Sequence, residues 1–387
     1  MKLEVKSTDK KANLTNLKLK NKKTIATLGI LSSLILFSGC SKEQPKNITP
    51  ELNTKDTIST EDSNYQETDE VILEGTVYET TESSELDNMF VSKDTVVEIP
   101  EKYDDYVITS ISNNAFGESI EEIIIPSTVN SIAVSAFEKS TSLRKITVDK
   151  SNLAYLSSSD GILYSYDMTE LVRCPMDYES PTVQLPEALE KINTNAFRNC
   201  RAIQEINLTS NITDIGDYAF YGTGLSEITI PKTIKNIGTR AFYSCANLTT
   251  VNYNAEYSTY KSDNVLSLIL SNYNCFGKNV TKLTIGDTVK TIPNYIFARL
   301  NFAEVVISST VESIGSYAFY GCKNLTSMKL ANGSNLLSIG ESAFSGCSQL
   351  KSIELSDKLN TIGASAFSSC SSLASVMLPE ALTTLSN

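Results

Sequence analysis

The side chains that could carry chemistry in this 387-residue chain are an unusual set: eight cysteines, eighteen tyrosines and no histidine. Without histidine, the usual general base, the Ser-His-Asp triad and imidazole metal sites are all missing. Carboxylates such as Glu121 and Glu122, or Asp104 and Asp105, are adjacent in sequence. Nothing therefore places them on opposite sides of a scissile bond, as glycoside chemistry requires. There is no glycine-rich phosphate loop. The composition argues against an enzyme and implies no cofactor.

What remains is regularly placed. Cys200, Cys245, Cys322, Cys347 and Cys370 each lie three residues after a phenylalanine. Metal spacing of the C-x-x-C kind is absent, so no metal site is expected. The column reads as buried thiols, with a disulfide between neighbouring coils as the alternative. Tyr218, Tyr295 and Tyr317 stand two residues before a phenylalanine, and Tyr221, Tyr243 and Tyr320 one after it. A tyrosine ring offers rigid contact area and a hydroxyl, which suits recognition of a protein or glycan. The competing reading is that these rings lie over neighbouring coils and shield the core.

The reference phenylalanines are Phe116, Phe137, Phe197, Phe220, Phe242, Phe297, Phe319, Phe344 and Phe367, at intervals of 21, 60, 23, 22, 55, 22, 25 and 23 residues. A period of this length is the signature of a solenoid, in which each coil closes its core against the next. Leu225–Leu248 shows the unit most fully. Ile228-x-Ile230 alternates as a short strand with two side chains inward. Pro231 ends the ladder, Ile234 and Ile237 return to the core, and Gly238 supplies a tight corner. Ala241 and Phe242 then fill the interior. The strand pattern recurs down to Val376/Leu378. The two long intervals mark interruptions.

The string Ile-Gly-x-x-Ala-Phe-x-x-Cys-x-x-Leu occurs unbroken at 237–248, 314–325, 339–350 and 362–373. It resembles the leucine-rich repeats of the BspA type found in bacterial surface proteins, over roughly residues 106–387. Around Phe297 the pattern departs, with Pro293 and Ile296 in place of Gly and Ala. The resemblance implies a repeat solenoid with short parallel strands, exported to the cell surface, in a family associated with adhesion. It brings no catalytic residue with it.

The flanking segments fit export. Eight lysines precede the apolar run Thr24–Phe37, which at 14 residues is short for a membrane span and right for a signal peptide. Phe37-Ser38-Gly39-Cys40 resembles a bacterial lipobox, so 1–39 is expected to be a lipoprotein signal peptide and Cys40 the lipidated, membrane-anchoring residue. Residues 40–70 read as a polar tether, 71–105 as an N-terminal cap or degenerate first coil, and 106–387 as the solenoid. Asp160-Gly161 between short apolar runs signals one hairpin insertion within 152–175, and Ser262-Asp263-Asn264 a second within 257–273. Such insertions either widen the core or carry part of a binding face. The last coil, Leu373–Leu385, lacks a following Ala-Phe, so its end is expected to lie open or be covered by a partner.

Charge narrows the partners. The chain carries a net −12. Residues 1–40 hold eight Lys against two acids, leaving 25 basic and 43 acidic residues beyond, a balance of −18. Such a surface repels phosphate backbones and excludes nucleic acid as a partner. The sequence thus predicts a lipid-anchored bacterial surface protein that binds an extracellular protein or glycan. The alternative is a structural spacer or surface-layer component with no specific ligand.

Overall fold

The computed structural model describes residues 69–73, 76–80, 95–261 and 274–386. The expected signal peptide, Cys40, nearly all of the tether and the expected turn at Ser262-Asp263-Asn264 lie outside the described residues. Two compact units divide the chain, Met1–Ser63 and Asn64–Asn387, and every described residue belongs to the second.

That second unit is a parallel-strand β-solenoid of about twelve turns. The longer strand of each coil carries the alternating pattern. Glu227–Ile230 pairs in parallel with Thr250–Tyr253, which pairs with Lys282–Ile285, in the register Ile228 to Val251 to Leu283. Ile228 and Ile230 are buried while Glu227 and Thr229 face out, the period-two behaviour of a half-buried strand. A second, two-residue strand precedes the corner. Lys191–Ile192, Asp214–Ile215, Asn236–Ile237 and Thr259–Tyr260 form one such run, and Thr291–Ile292 to Thr384–Leu385 another. Thr259–Tyr260, within the expected second hairpin, pairs in parallel with Asn236–Ile237, and residues 262–273 of that segment lie outside the described residues. Val376 and Leu378 form no strand, and Leu378 is exposed. The last coil keeps only its short strand, Thr384–Leu385, which pairs in parallel with Thr361–Ile362.

The corner adds a third hydrogen-bond ladder. The Phe220 N–H donates to the Ala241 carbonyl at 2.7 Å, Phe319 to Ala343 at 2.8 Å and Phe344 to Ala366 at 2.8 Å. At Phe197, Phe220, Phe242, Phe297, Phe319, Phe344 and Phe367 the chain turns through two left-handed residues, two before and two after the ring. They include Tyr218 (φ 56°), Tyr317 (φ 58°), Ser244 (φ 62°) and Arg299 (φ 61°). Gly238, expected to give the corner its freedom, is not among them. Its role is close approach, because a Cβ there would sit 2.3 Å from the Asp217 nitrogen and 2.4 Å from the Gly216 carbonyl carbon of the preceding coil.

Phenylalanine rings stack along the axis, with centroids 5.0 Å apart for Phe197 and Phe220, 4.9 Å for Phe220 and Phe242, and 5.1 Å for Phe319 and Phe344. The departure at Phe297 changes little: Ile296 is buried and Phe297 bonds Ala318 at 3.0 Å. The 55-residue interval, however, hides a ring absent from the periodic series. Phe276 stacks on Phe242 at 5.2 Å and on Phe297 at 6.2 Å. Cys275 takes the small-residue position, its carbonyl accepting from the Phe242 N–H at 2.9 Å.

The 60-residue interval is a true break in the stack of rings. The expected hairpin forms, with Tyr155–Ser157 antiparallel to Leu163–Ser165, followed by Glu170–Arg173. Gly161 (φ 86°) turns it, and its carbonyl accepts from the Ile146 N–H at 3.1 Å, docking the tip on strand Lys145–Val148, where an added Cβ would come 2.9 Å from the Lys145 Cα. Ile162 belongs to the main core and Leu163 to the N-terminal one, so the hairpin sits where two core segments meet. Cys174 then stands where a phenylalanine would, donating its N–H to the Ala196 carbonyl at 2.7 Å. Only two residues separate Leu171 from Cys174, against four between Ile192 and Phe197. This shortened corner leaves space that the buried Arg173 fills, its guanidinium donating to the Asn195 and Arg198 carbonyls.

Strand Val96–Glu98 already pairs in parallel with Glu122–Ile124. Asp69–Leu73 pairs antiparallel with Thr76–Thr80, beginning two residues inside the expected tether.

Candidate binding face

The corner that packs phenylalanine inward must present the residues beside it outward. Positions two before, one after and two after the ring therefore form three columns on one side of the solenoid. All six singled-out tyrosines occupy them and all are half-buried. They form two groups rather than one row. Tyr218 lies 5.9 Å from Tyr221, which lies 6.0 Å from Tyr243. Tyr295 stacks on Tyr317 at 4.9 Å, and Tyr317 lies 5.7 Å from Tyr320. The intervening coil, built on Phe276, has Asn274 and Gly277 at the two corner positions that carry tyrosine elsewhere.

Arginines in the same columns were not singled out by type or spacing, yet they complete both groups. The Arg198 guanidinium carbon lies 5.2 Å from the Tyr218 ring centre and 5.1 Å from that of Tyr221, and Nη1 reaches Glu138 at 3.3 Å. Arg240 lies 5.7 Å from Tyr218, and Arg299 lies 5.6 Å from Tyr320. Cation–ring contacts of this kind hold the aromatic faces in place. Their offsets differ, one after Phe197, two before Phe242 and two after Phe297, so no single spacing marked them in the sequence. The Tyr317 hydroxyl donates to Glu341 Oε1 at 2.9 Å, which holds that phenol above its ordinary range, and burial does the same for Tyr295.

The cysteine column is structural. Cys245, Cys322, Cys347 and Cys370 each direct Sγ at the carbonyl of the phenylalanine one coil earlier, at 3.1–3.2 Å, as S–H donors. Cys200 makes the same contact with Pro175, after the Cys174 substitute. All seven described cysteines are buried and free. Burial pushes the Cys245 thiol up to about 11 and Cys322 to about 12, the pattern of inert core thiols. Among the described residues no cluster of three or more metal-ligating side chains occurs.

The paired strand ladders, the inward phenylalanine and the conserved-offset corner define a leucine-rich repeat solenoid. The BspA type leucine-rich repeat region matches in six copies over residues 93–160, 176–272 and 268–387, and the chain belongs to this family. Among solved structures, a leucine-rich repeat protein from Eubacterium ventriosum is 26% identical over 74% of this chain and 67% of that one, with a TM-score of 0.51. A leucine-rich repeat protein from Bacteroides ovatus is 24% identical over 73% and 75%, TM-score 0.39. A leucine-rich cell surface protein from Faecalibacterium prausnitzii is 23% identical over 78% and 90%, TM-score 0.38. No curated protein sequence matches the chain.

Proposed function

We propose that this chain is a bacterial cell-surface protein, held to the membrane by a lipid on Cys40, whose solenoid binds an extracellular protein or glycan. The observation that carries the reading is the half-buried tyrosine–arginine face at the corners. Aromatic rings held rigid by cations give contact area at little entropic cost, which is what interface hot spots use. Membership of the BspA type repeat family supports a surface and binding role in general terms. A spacer without a ligand needs only the stacked core, and the outward aromatic groups would then serve no purpose beyond covering it. A binding array of matrix proteins and glycans, probed with the purified protein, tests the reading. Specific capture that is lost on altering the tyrosine face supports it, and absence of any saturable binding by folded protein favours the spacer.

A further inference from the structure

Elsewhere in the solenoid, a lapse in one ladder is covered by another. Thr182–Val183 and Glu205–Ile206 form a pair separate from Glu227–Ile230, yet the short strands run on past them and Phe197 stays stacked on Phe220. Thr259–Tyr260 does not pair with Thr291–Ile292, yet Phe242, Phe276 and Phe297 stack across that boundary and the Lys290 N–H donates to the Glu256 carbonyl at 2.9 Å. The junction after Val148 differs. The long-strand ladder of Val96–Glu98, Glu122–Ile125 and Lys145–Val148 stops there, and the short pair Ser110–Ile111 and Ser131–Ile132 gains no later strand. Phe137 stacks on Phe116 and, among the described residues, on no later ring. The buried apolar side chains divide into two clusters at the same point. Among the described residues, Leu163 is the one member of the N-terminal cluster that lies beyond Val148.

We infer that residues 95–150 form a separate cooperative unit, which opens as a block without the rest of the solenoid, and that the hairpin is its boundary. In a stack of repeats, stability is the sum of each coil and its contacts with the next, so one weak contact divides the stack. What crosses this boundary is mostly polar. The Ile146 N–H donates to the Gly161 carbonyl at 3.1 Å, the Val148 N–H to Ser157 Oγ at 3.1 Å and the Asp177 N–H to the Leu143 carbonyl at 2.7 Å. Arg144 pairs with Asp177 at 2.9 Å and Arg198 with Glu138 at 3.3 Å. Both pairs remain in reach of water, where an ion pair contributes little. The apolar contact is Leu163, with Tyr155 and Val172 half-buried beside it. Opening also reaches the tyrosine face. Arg198 is held by Glu138 of the N-terminal unit on one side and lies over Tyr218 and Tyr221 on the other. Undocking the N-terminal coils therefore takes the carboxylate away from the cation that braces the first tyrosine group. The unit opens in this way whether or not the face binds a ligand.

The test is hydrogen–deuterium exchange of the full-length purified protein, read by mass spectrometry. Peptides covering Glu122–Ile125 and Lys145–Val148 should exchange together, and at least about tenfold faster than those covering Glu227–Ile230 and Thr250–Tyr253, with a step at the hairpin. Protection that is level across the hairpin overturns the unit. So does protection that rises smoothly from Val96 inward, coil by coil, as at a fraying end. Leu163→Ala removes the buried side chain that joins the N-terminal core to the hairpin. It should speed exchange over 95–150 by about 30-fold or more, as expected for a buried Leu-to-Ala change, and leave Glu227–Ile230 and Glu304–Ile307 as they were. Loss of protection spread evenly to those two strands overturns the hairpin as the boundary. If that variant fails to fold, the presence or absence of the step in the wild-type protein decides by itself.

Discussion

Phe242 and Phe276 stack with ring centres 5.2 Å apart although 34 residues separate them. The coil between them is long, yet the ladder is unbroken, because the corner needs only a small residue followed by an aromatic ring, and Cys275-Phe276 meets that need. Phe276 should therefore be as costly to remove as any periodic ring. Phe276→Ala is expected to destabilise the protein by roughly 3–5 kcal/mol, like Phe242→Ala, measured by urea unfolding of both variants. A loss under about 1 kcal/mol, far below the usual range for a core phenylalanine, would remove Phe276 from the ladder.

The thiols offer a count. Seven cysteines are buried within the solenoid and the eighth is Cys40. The folded protein is expected to react negligibly with a thiol reagent at pH 8, since the thiolate is disfavoured by burial. In denaturant the membrane-extracted protein should release seven equivalents, because a lipidated Cys40 has no free thiol. Eight equivalents would mean that Cys40 is unmodified, and Cys40→Ser should then leave the membrane-bound fraction unchanged.

Stability should fall at alkaline pH through the same residues. A thiol held up to about 11 at Cys245 and about 12 at Cys322 keeps its proton longer in the fold than in the unfolded chain, where thiols titrate near about 8.5. Folding therefore binds protons in this window. The stabilisation is complete below the unfolded value and is lost as pH rises through the folded values. Unfolding free energy should be level up to about pH 8.5 and decline above it. Cys322→Ala should flatten the decline, as read from urea midpoints at pH 8 and 10.5.

The tyrosine face is tested by changing Tyr221, Tyr243 and Tyr320 together to Ser. If the rings contact the partner, affinity should fall by roughly 2 kcal/mol or more per ring at the centre of the interface. Because all three are half-buried, a modest drop in unfolding temperature is expected as well. Unchanged affinity in fully folded protein would leave the rings with a packing role alone.

The repeat was legible because its constraints are local: alternation in Ile228-x-Ile230, the Gly238 corner and the Ala241-Phe242 pair follow at fixed offsets, and a solenoid stacks like on like. Sequence therefore determined the strand period, the stacked phenylalanines, the Cys column and the first hairpin at Asp160-Gly161. It could not see Phe276 or Cys174 as rungs, because a rung is defined by which coil it bonds to and not by its distance from the last phenylalanine. Nor could it show that Gly238 answers to the Gly216 backbone, since that contact exists only once two coils are stacked. The face was divided in the same way. Tyrosine offsets placed the rings on one side, but only the tertiary structure set Arg198, Arg240 and Arg299 against them. Side chains from separate coils become neighbours through the pitch of the stack, and that pitch is written in no single repeat.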